Sequence, residues 1–513
     1  MKSKSLVITA IVILAWTGYP SWLSAHGFGE RYDLPIPLNY FLIGAAATVA
    51  FSFVVIGWFV RRSERDFDYR RLNLWESPVF RTIARVLSTV MAVLSVGLLL
   101  VVVGAGFYGT SDALDNFAPT FVWIIWWVGV GYVVALVGNI WAIVNPWQII
   151  FEWFEILFNK PIVPSFRWPD WLDAWPALVG FLLFAWVENV YTGGSRPFNL
   201  AVLILIYSTV TWTGMILFGK HVWLKRGDPF AVLFALFARF SPTEIRVNSH
   251  NSEEDICLMC QSGCSWNTDL SECIDCYECW ELSDDSERRF SLRPWASGLA
   301  RGERVTTALV AFHITALSTV TYDGLSETPA WVTVQSFMWP LVDPLPGSAV
   351  ATIDSIGTIG LPLLFASIYV VVCRMVSRSS GGRLTRYDAA HSLVFSLVPI
   401  ALAYNLSHYL SFLLIAGQQI IPLLSDPIGS GIDLFGTAGY IPNIAVINAR
   451  AAWIVSIVSL VSGHVVSVYI AHVISLRRLR EHTIAVKSQY PMLVLMVFYT
   501  AVSLWIISQP LIG

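Results

Sequence analysis

Six of the chain's seven cysteines lie within 23 residues, in the segment CLMCQSGCSWNTDLSECIDCYECW. They are Cys257, Cys260, Cys264, Cys273, Cys276 and Cys279. Their spacing is C-x2-C-x3-C followed by C-x2-C-x2-C. A C-x2-C turn lets two thiolates converge on one ion, and two such turns complete a tetrahedral four-sulfur site. The spacing therefore predicts a metal site, provided that the thiols lie in a reducing compartment.

Zinc is the predicted metal, held by Cys260 with Cys257 and by Cys276 with Cys273 or Cys279. The second half of the segment also resembles part of a ferredoxin-type run, which leaves an iron–sulfur cluster as an alternative. Closed Cys₄ sites are usually structural. We expect the metal to fold a small polar subdomain against the rest of the chain.

A second set of candidates consists of ionisable residues inside apolar segments, where an unpaired charge is costly and a functional role is the default hypothesis. His408, His464 and Asp323 are the predicted catalytic residues, as ligands of one zinc, copper or iron ion. Helical rise places these three with Glu188 in an outer layer. An inner layer contains His313 and His472, the predicted cofactor ligands, and His391. Paired imidazoles on adjacent helices also suit an axially ligated haem, and hydrogen bonding between helices is the alternative for each histidine.

The elements that must position these residues are membrane helices. The chain has 513 residues, of which 56% are hydrophobic and 13% charged, about half the charged fraction of a soluble protein. No basic tract with interleaved aromatics indicates nucleic acid. Ten segments are long and apolar enough to span a bilayer. They are Leu38–Val60, Val86–Tyr108, Phe121–Val144, Trp175–Tyr191, Phe198–Phe218, Val305–Tyr322, Ala349–Val372, Ala389–Ile415, Trp453–Ile474 and Pro491–Ile507.

Residues 1–25 have the basic start, apolar core and terminal Ala25 of a signal peptide, or form an uncleaved first helix. Cleavage there would leave His26 as an amino-terminal copper chelator. Basic residues are concentrated in alternate loops, and the opposite side keeps only Arg31, Arg196 and Arg450. The positive-inside rule then predicts an inner-membrane protein with both mature termini outside and the cysteine segment in the cytoplasm.

The predicted fold is thus an all-α integral membrane protein. Its parts are residues 26–226 with five spans, a cytoplasmic loop at 227–304 with the cysteine-rich subdomain, and residues 305–513 with five more. Two apolar cytoplasmic segments, Asn145–Phe158 and Asp228–Phe240, are expected to lie in the interface plane.

Several stretches together resemble a family of bacterial membrane proteins labelled fenitrothion hydrolase. They are AHGFGERYDLPIP, GDPFAVLFALFARFSP, TYDGLSETPAW, LSHYLSFLLIAGQ, SDPIGSGIDLFGTAGY and SQYPMLVLMVFYTAVSLWIISQP. The likeness runs from about His26 to Pro510. It implies a membrane-bound hydrolase of organophosphorus esters, and a metal bound by the His and Asp candidates could supply the activated water that such hydrolysis needs. A redox subunit that binds haem, copper or iron–sulfur is the first alternative, and a metal or solute transporter is the second. Predicted partners are the lipid bilayer and other membrane or periplasmic subunits.

Overall fold

Long apolar helices make up most of the structure, a computed structural model that describes residues 37–61, 69–248, 260–262, 266–267, 272–301, 305–344 and 347–509. The predicted signal peptide, His26, Cys257 and Cys264 lie outside these residues. The helices are α1 Leu38–Phe59, α2 Pro78–Tyr108, α3 Phe117–Leu136, α4 Trp141–Val144, α5 Pro146–Phe158, α6 Trp175–Asn189, α7 Pro197–Phe218, α8 Lys220–Arg226, α9 Pro229–Ala238, α10 Tyr277–Leu282, α11 Thr307–Ser326, α12 Pro329–Val342, α13 Ala349–Ser379, α14 Arg386–Ser425, α15 Ala449–Leu479 and α16 His482–Ile507. Short 3₁₀ turns lie at Ser297–Leu299 and Ile444–Val446.

Eight of these helices, among the described residues, are long and apolar enough to cross a membrane: α1, α2, α3, α7, α13, α14, α15 and α16. They match eight of the ten predicted spans, and the fold class of an all-α, multi-pass membrane protein is confirmed. The predicted span Trp175–Tyr191 corresponds to α6, whose 15 residues measure about 22 Å and fall short of a bilayer core. The predicted span Val305–Tyr322 corresponds to α11, which is less apolar than the eight. The count of ten therefore stays a prediction.

Helix α11 lies in the middle of the bundle. Fourteen of its 20 residues are buried, and they occur on all sides of the helix. It packs against α6, α13 and α14, so its Thr, Ser, His and Asp side chains face protein. Because lipid cannot satisfy polar groups, a helix of this composition is stable in the bundle only when other helices surround it.

Helix α3 contains a ten-residue π-helical stretch, Phe121–Val130. Helix α14 is interrupted by 3₁₀ turns at Val394–Leu397 and Ala416–Gln419. Wider or tighter turns change which side chains face a neighbouring helix, and π-helical segments occur frequently at functional sites. Both irregular helices border the buried acidic cluster described below.

The two segments predicted to lie in the interface plane behave differently. Helix α5 buries Trp147 and Phe151 and exposes its end, including Leu157 and Phe158, which suits that position. The other prediction is wrong for the helix itself. In α9 seven of ten residues are buried, against α3, α4, α6 and α14. The almost wholly apolar sequence of α9 makes it a core element rather than an amphipathic surface helix.

A five-stranded antiparallel sheet is formed by segments between the helices, and the all-α prediction did not include it. Its strands are β1 Leu72–Asn73, β2 Thr243–Asn248, β3 Trp266–Asn267, β4 Glu272–Ile274 and β5 Arg288–Leu292, in the spatial order β1-β5-β2-β4-β3. Val247 pairs with Cys273 and with Arg288, which fixes the register of β2 between β4 and β5. We call these strands, with α10, the sheet subdomain.

Successive side chains of β2 point to opposite faces of the sheet. Val247 packs with four buried cysteines, whereas Glu244 is surrounded by cations. Its carboxylate accepts from Arg71 Nε at 2.7 Å, Arg301 Nη2 at 2.9 Å and Arg293 Nη1 at 3.1 Å. Arg293 also donates to the carbonyl of Ala238, the last residue of α9, at 2.9 Å. This charge cluster therefore joins the sheet subdomain to the bundle.

Burial alone would raise the pKa of Glu244, but the charges of Arg301 and Arg293 outweigh it. Together with a hydrogen bond from Tyr69 and the charge of Arg71, they hold the pKa at about 2. Glu244 therefore stays ionised at any physiological pH.

Candidate functional sites

Three cysteine sulfurs meet in the sheet subdomain. One ligand atom each from Cys260, Cys276 and Cys279 lies within 4.8 Å of the others, and this is the one such group of three or more His, Cys, Asp or Glu residues in the described part of the chain. The sulfurs of Cys260 and Cys276 are 3.6 Å apart. Three converging thiolates are a soft donor set that suits zinc or an iron–sulfur cluster. The residues therefore fit a metal, whose identity stays a prediction.

Local structure explains which cysteines converge. Cys276 immediately precedes α10 and Cys279 lies inside it, so one short helix presents both sulfurs. Glu278 accepts from the backbone N–H groups of Gln261 at 2.9 Å and Ser262 at 2.8 Å, which holds the turn that begins at Cys260.

Of the other predicted cysteine ligands, only Cys273 lies among the described residues, and it is not in this group. Cys273 lies in β4, is buried, and packs nearby without joining the three. Cys257 and Cys264 lie outside the described residues, so their predicted role as ligands is not tested.

A second cluster is buried in the bundle and contains two carboxylates. His408 Nε2 lies 2.8 Å from Asp323 Oδ2. The hydroxyl of Tyr409 lies 2.5 Å from the same Asp323 oxygen and 3.1 Å from Glu188 Oε1. We call Glu188, Asp323, His408 and Tyr409 the acid cluster.

Four elements position the acid cluster. Glu188 is the next-to-last residue of α6, Asp323 belongs to the last turn of α11, and His408 and Tyr409 are consecutive on α14. The fourth element is the π-helical stretch of α3, from which Trp127 Nε1 donates to Glu188 Oε1 at 2.6 Å. The ring of Tyr409 stands edge-on to that of His408, with centroids 4.6 Å apart.

The Tyr409 hydroxyl has one proton to donate, yet it lies within hydrogen-bonding distance of two carboxyl groups. The two contacts are either one shared three-centre hydrogen bond or two separate hydrogen bonds, the second of which needs a protonated carboxyl group that donates to the phenol oxygen. Two carboxylates that share one buried site also repel each other, which favours retention of one proton. The geometry is thus that of a site that binds a proton.

A cavity of about 20 Å³ adjoins the acid cluster. Its lining includes Glu188, Tyr409, Asn405, Thr319 and Phe237. This volume suffices for about one water molecule and is far below the several hundred Å³ of a pocket for a small organic ligand.

His464 does not join His408 and Asp323. Among the described residues, the structure does not bring the three predicted ligands within 4.8 Å of one another, and their catalytic role stays a prediction. His464 Nδ1 donates to the carbonyl of Leu460 at 2.8 Å, and its Nε2 has no hydrogen-bond partner among the described residues. Helical rise gave the correct depth for His408 and Asp323, but depth does not determine which way a side chain points around the helix.

Each of the three inner histidines has its own set of hydrogen-bond partners. His313 Nδ1 donates to the carbonyl of Leu309 at 2.5 Å. His391 bonds to Thr307 at 3.2 Å and to the Tyr387 carbonyl at 2.7 Å. His472 contacts Gln489 Oε1 at 3.1 Å and the Val60 carbonyl at 2.8 Å. The hydrogen bonds of His391 and His472 are those expected from packing between helices, and the predicted cofactor role of His313 and His472 is not tested.

Sequence reasoning missed two members of this region. Tyr409 follows His408 directly and offered a signal, because a tyrosine hydroxyl inside an apolar span needs a partner as an imidazole does. Trp127 offered none. Its contact with Glu188 depends on the π-helical stretch, which no residue pattern in FVWIIWWVGV indicates.

Comparisons with protein-family models, with curated proteins and with solved structures give no match. The functional interpretation therefore depends on the geometry of the chain itself.

Proposed function

We propose that the protein is a proton-coupled membrane transporter in which the acid cluster carries the proton. The observation that supports this most directly is the single Tyr409 hydroxyl between the carboxyl groups of Glu188 and Asp323. Buried ionisable residues that face one another inside a bundle are typical of proton relays and ion pathways.

The helices around the cluster support the same proposal. Transporter sites are typically formed where helices are short or broken near the middle of the membrane. Helix α6 has 15 residues and α9 has ten, both too short to cross. Glu188 belongs to α6, while Phe237 of α9 lines the neighbouring cavity. The irregular helices α3 and α14 complete the surroundings.

The proposal also includes the orientation of the protein in the membrane and the metal bound by the cysteines of the sheet subdomain. The distribution of basic residues supports an inner-membrane location with the sheet subdomain in the cytoplasm, where Cys260, Cys276 and Cys279 stay reduced. Zinc is the metal we propose there. Its role is structural, because these thiolates hold the turn at Cys260 to α10 and are remote from the acid cluster in sequence and in element.

A membrane-bound hydrolase is a second candidate, favoured by the 2.8 Å contact of His408 with Asp323. A carboxylate that orients an imidazole is the arrangement of a general base. The cavity of about 20 Å³ admits a water but not an aryl phosphotriester, so hydrolysis would require the helices to open. For this reason transport is the better supported function.

The test uses purified protein in liposomes that contain a pH-sensitive dye. A potassium gradient with valinomycin supplies the driving potential. We expect proton flux above that of protein-free liposomes, and a loss of more than about tenfold in Glu188→Gln and Asp323→Asn, since neither replacement can exchange a proton.

Asp354→Asn is the matched control. Asp354 accepts from Trp331 Nε1 and Gln335 Nε2, each at 2.8 Å, and neither donor belongs to the acid cluster, so flux should persist. Absence of flux in the wild type, together with release of the phenol from an aryl phosphotriester that requires Asp323, would replace transport with hydrolysis.

A further inference from the structure

The cavity beside the acid cluster lies on one side of that cluster. In α6 the lining residue Phe181 comes seven residues before Glu188, and in α14 the lining residue Asn405 comes three residues before His408. The lining residues of α11 likewise come before Asp323. Because an α-helix rises about 1.5 Å per residue, the cavity extends from the cluster towards the starts of these three helices.

That side of the cluster faces the sheet subdomain. Helix α3 runs from the one to the other, because Trp127 donates to Glu188 of the cluster and Val137, which directly follows α3, meets the sheet. The carbonyl of Val137 accepts from Oγ1 of Thr243, the first residue of β2, at 2.8 Å. The lining residue Gly131 comes between Trp127 and Val137, so the cavity lies between the acid cluster and the sheet subdomain.

Two apolar residues of α9, whose last turn leads into β2, line the cavity. They are Leu233 and Phe237, which are 1% and 8% exposed. Phe237 is the next-to-last residue of α9, and the two residues that follow it, Ala238 and Arg239, are only half-buried. The carbonyls of these two residues accept from Arg293 Nη2 at 2.9 Å and 3.4 Å. Phe237 is therefore the last buried residue of α9 between the cavity and the charge cluster of the sheet subdomain.

The ring of Phe237 leaves little room beside α3. A Cβ atom built on Gly131 would lie 3.9 Å from Phe237 Cε2, so the ring packs close to the α3 backbone. Phenylalanine has no side-chain donor or acceptor for water, and an apolar constriction excludes a chain of waters. A hydrogen-bonded path for protons is therefore interrupted at Phe237.

The other end of the cavity is polar. Glu188, Tyr409, Asn405 and Thr319 belong to its lining, and a buried water typically makes about three hydrogen bonds to such groups. Glu188 and Tyr409 are the two members of the acid cluster in that lining. A water in the cavity would thus meet Glu188 before Asp323.

We infer that the cavity binds one water, that Glu188 is the carboxyl group that exchanges protons through it, and that Phe237 closes this path towards the sheet subdomain. This inference rests on the proposed transport function. When the ring of Phe237 moves aside, further waters connect the bound water to that side of the membrane. A proton then passes from the protonated water chain to the ionised carboxylate of Glu188: an O–H bond forms on the carboxylate oxygen, one breaks in the bound water, and neutral water remains. The reverse step releases the proton.

Hydrogen–deuterium exchange of the acid cluster tests the position of the barrier. The infrared band of the protonated carboxyl group shifts when purified protein is mixed with D₂O, and its rate of change is measured. Phe237→Ala removes the constriction, so this rate should rise by more than about tenfold.

Phe234→Ala is the matched control, because it makes the same change one turn earlier in α9. Phe234 is 0% exposed and packs on Trp141 with ring centroids 5.4 Å apart, and it does not belong to the cavity lining. Exchange in this variant should stay within about twofold of wild type. Phe237→Leu, a smaller change that is milder for folding, should give a rate between those of Phe237→Ala and the wild type.

The liposome flux assay shows whether the opened path leads to Glu188. Phe237→Ala should raise proton flux by more than about threefold, and the double variant Glu188→Gln/Phe237→Ala should lose that increase. An increase that persists in the double variant would contradict the assignment of Glu188.

Wild-type exchange rates in both Phe237 variants, or equal acceleration in Phe234→Ala, would overturn the barrier. Absence of the carboxyl band from the wild type would overturn the whole inference, because the bound water would have no protonated group to exchange with. If wild-type liposomes show no proton flux but exchange is still faster in Phe237→Ala than in Phe234→Ala, the proposed transport function fails while the water site and its barrier stand.

Discussion

Two buried glutamates of this protein have opposite surroundings. Glu244 in the sheet subdomain accepts from Arg71, Arg293 and Arg301, so three positive charges surround its single negative charge. Glu188 in the bundle accepts from Trp127 and Tyr409, and both donors are neutral. Glu244 is held in its ionised form, whereas Glu188 can bind a proton at little cost in free energy.

The contrast separates charge used for structure from charge used for function. Breaking a buried ion pair is strongly destabilising, so replacing or protonating Glu244 should lower the stability of the folded protein. A carboxyl group held by neutral donors can gain or lose a proton while its hydrogen bonds persist. Each of the following predictions tests one side of this comparison.

The largest effect is expected from the metal of the sheet subdomain. Cys276→Ser removes one of three converging thiolates, so bound zinc should fall more than about tenfold and the subdomain should lose its structure, since binding energy at such sites is folding energy. Elemental analysis and limited proteolysis measure the two effects. The helical circular dichroism of the bundle should persist.

Cys373→Ser is the control for that change, because Cys373 is buried in α13 of the bundle and outside the sheet. Equal zinc in Cys276→Ser and in the wild type would refute the metal site.

The next largest effect is expected from Glu244→Gln, which leaves a group of arginines without their shared carboxylate. The free energy of unfolding of the subdomain should fall by about 3–5 kcal/mol, as measured by denaturant titration. Glu76→Gln, at an exposed glutamate three residues after β1, should change it by less than about 0.5 kcal/mol.

Acid should reproduce this loss in the wild type. The pKa of Glu244 is lowered from 4.5 to about 2, so its contribution is complete above pH 4.5 and is lost as the pH falls towards 2. The shift corresponds to roughly 3 kcal/mol. The acid-induced loss should be smaller in Glu244→Gln, and an identical loss in both proteins would assign it to other groups.

The smallest effect on stability is expected from Glu188→Gln. The amide oxygen of glutamine can still accept from Trp127 and Tyr409, so the free energy of unfolding in detergent should change by no more than about 1 kcal/mol. A loss as large as that of Glu244→Gln would remove the distinction between the two glutamates and would make Glu188 a structural residue.

The sequence predicted the parts of this molecule that depend on composition and periodicity. Eight of the ten predicted spans match helices long enough to cross a membrane, because hydropathy measures the same property that the bilayer selects. The C-x2-C spacing indicated a thiolate group, and Cys260, Cys276 and Cys279 form one. Helical rise placed Asp323 and His408 at one depth, and they are in contact.

The sequence did not predict features that depend on local geometry. Cys273 was an expected ligand, but it belongs to a strand while Cys276 begins a helix, and this change of structure directs the two sulfurs differently. His464 was expected to join His408, but its ring lies against that of Tyr499 on α16, with centroids 5.9 Å apart. The apolar segment of α9 was assigned to the membrane surface, since length alone does not distinguish a surface helix from one enclosed by its neighbours.

The first strand of the sheet has a consequence for the order in which the protein is made. Leu72 pairs with Leu292, so two segments 220 residues apart must meet in one sheet. At about 5–20 residues per second, the ribosome needs roughly 10–45 s to synthesise the second after the first. During that interval the intervening helices α2 to α10 leave the ribosome, and β1 has no partner strand. The sheet therefore closes only after β5 has been made, and a chain interrupted before β5 would expose the edge of β1 and would leave Glu244 without Arg293 and Arg301.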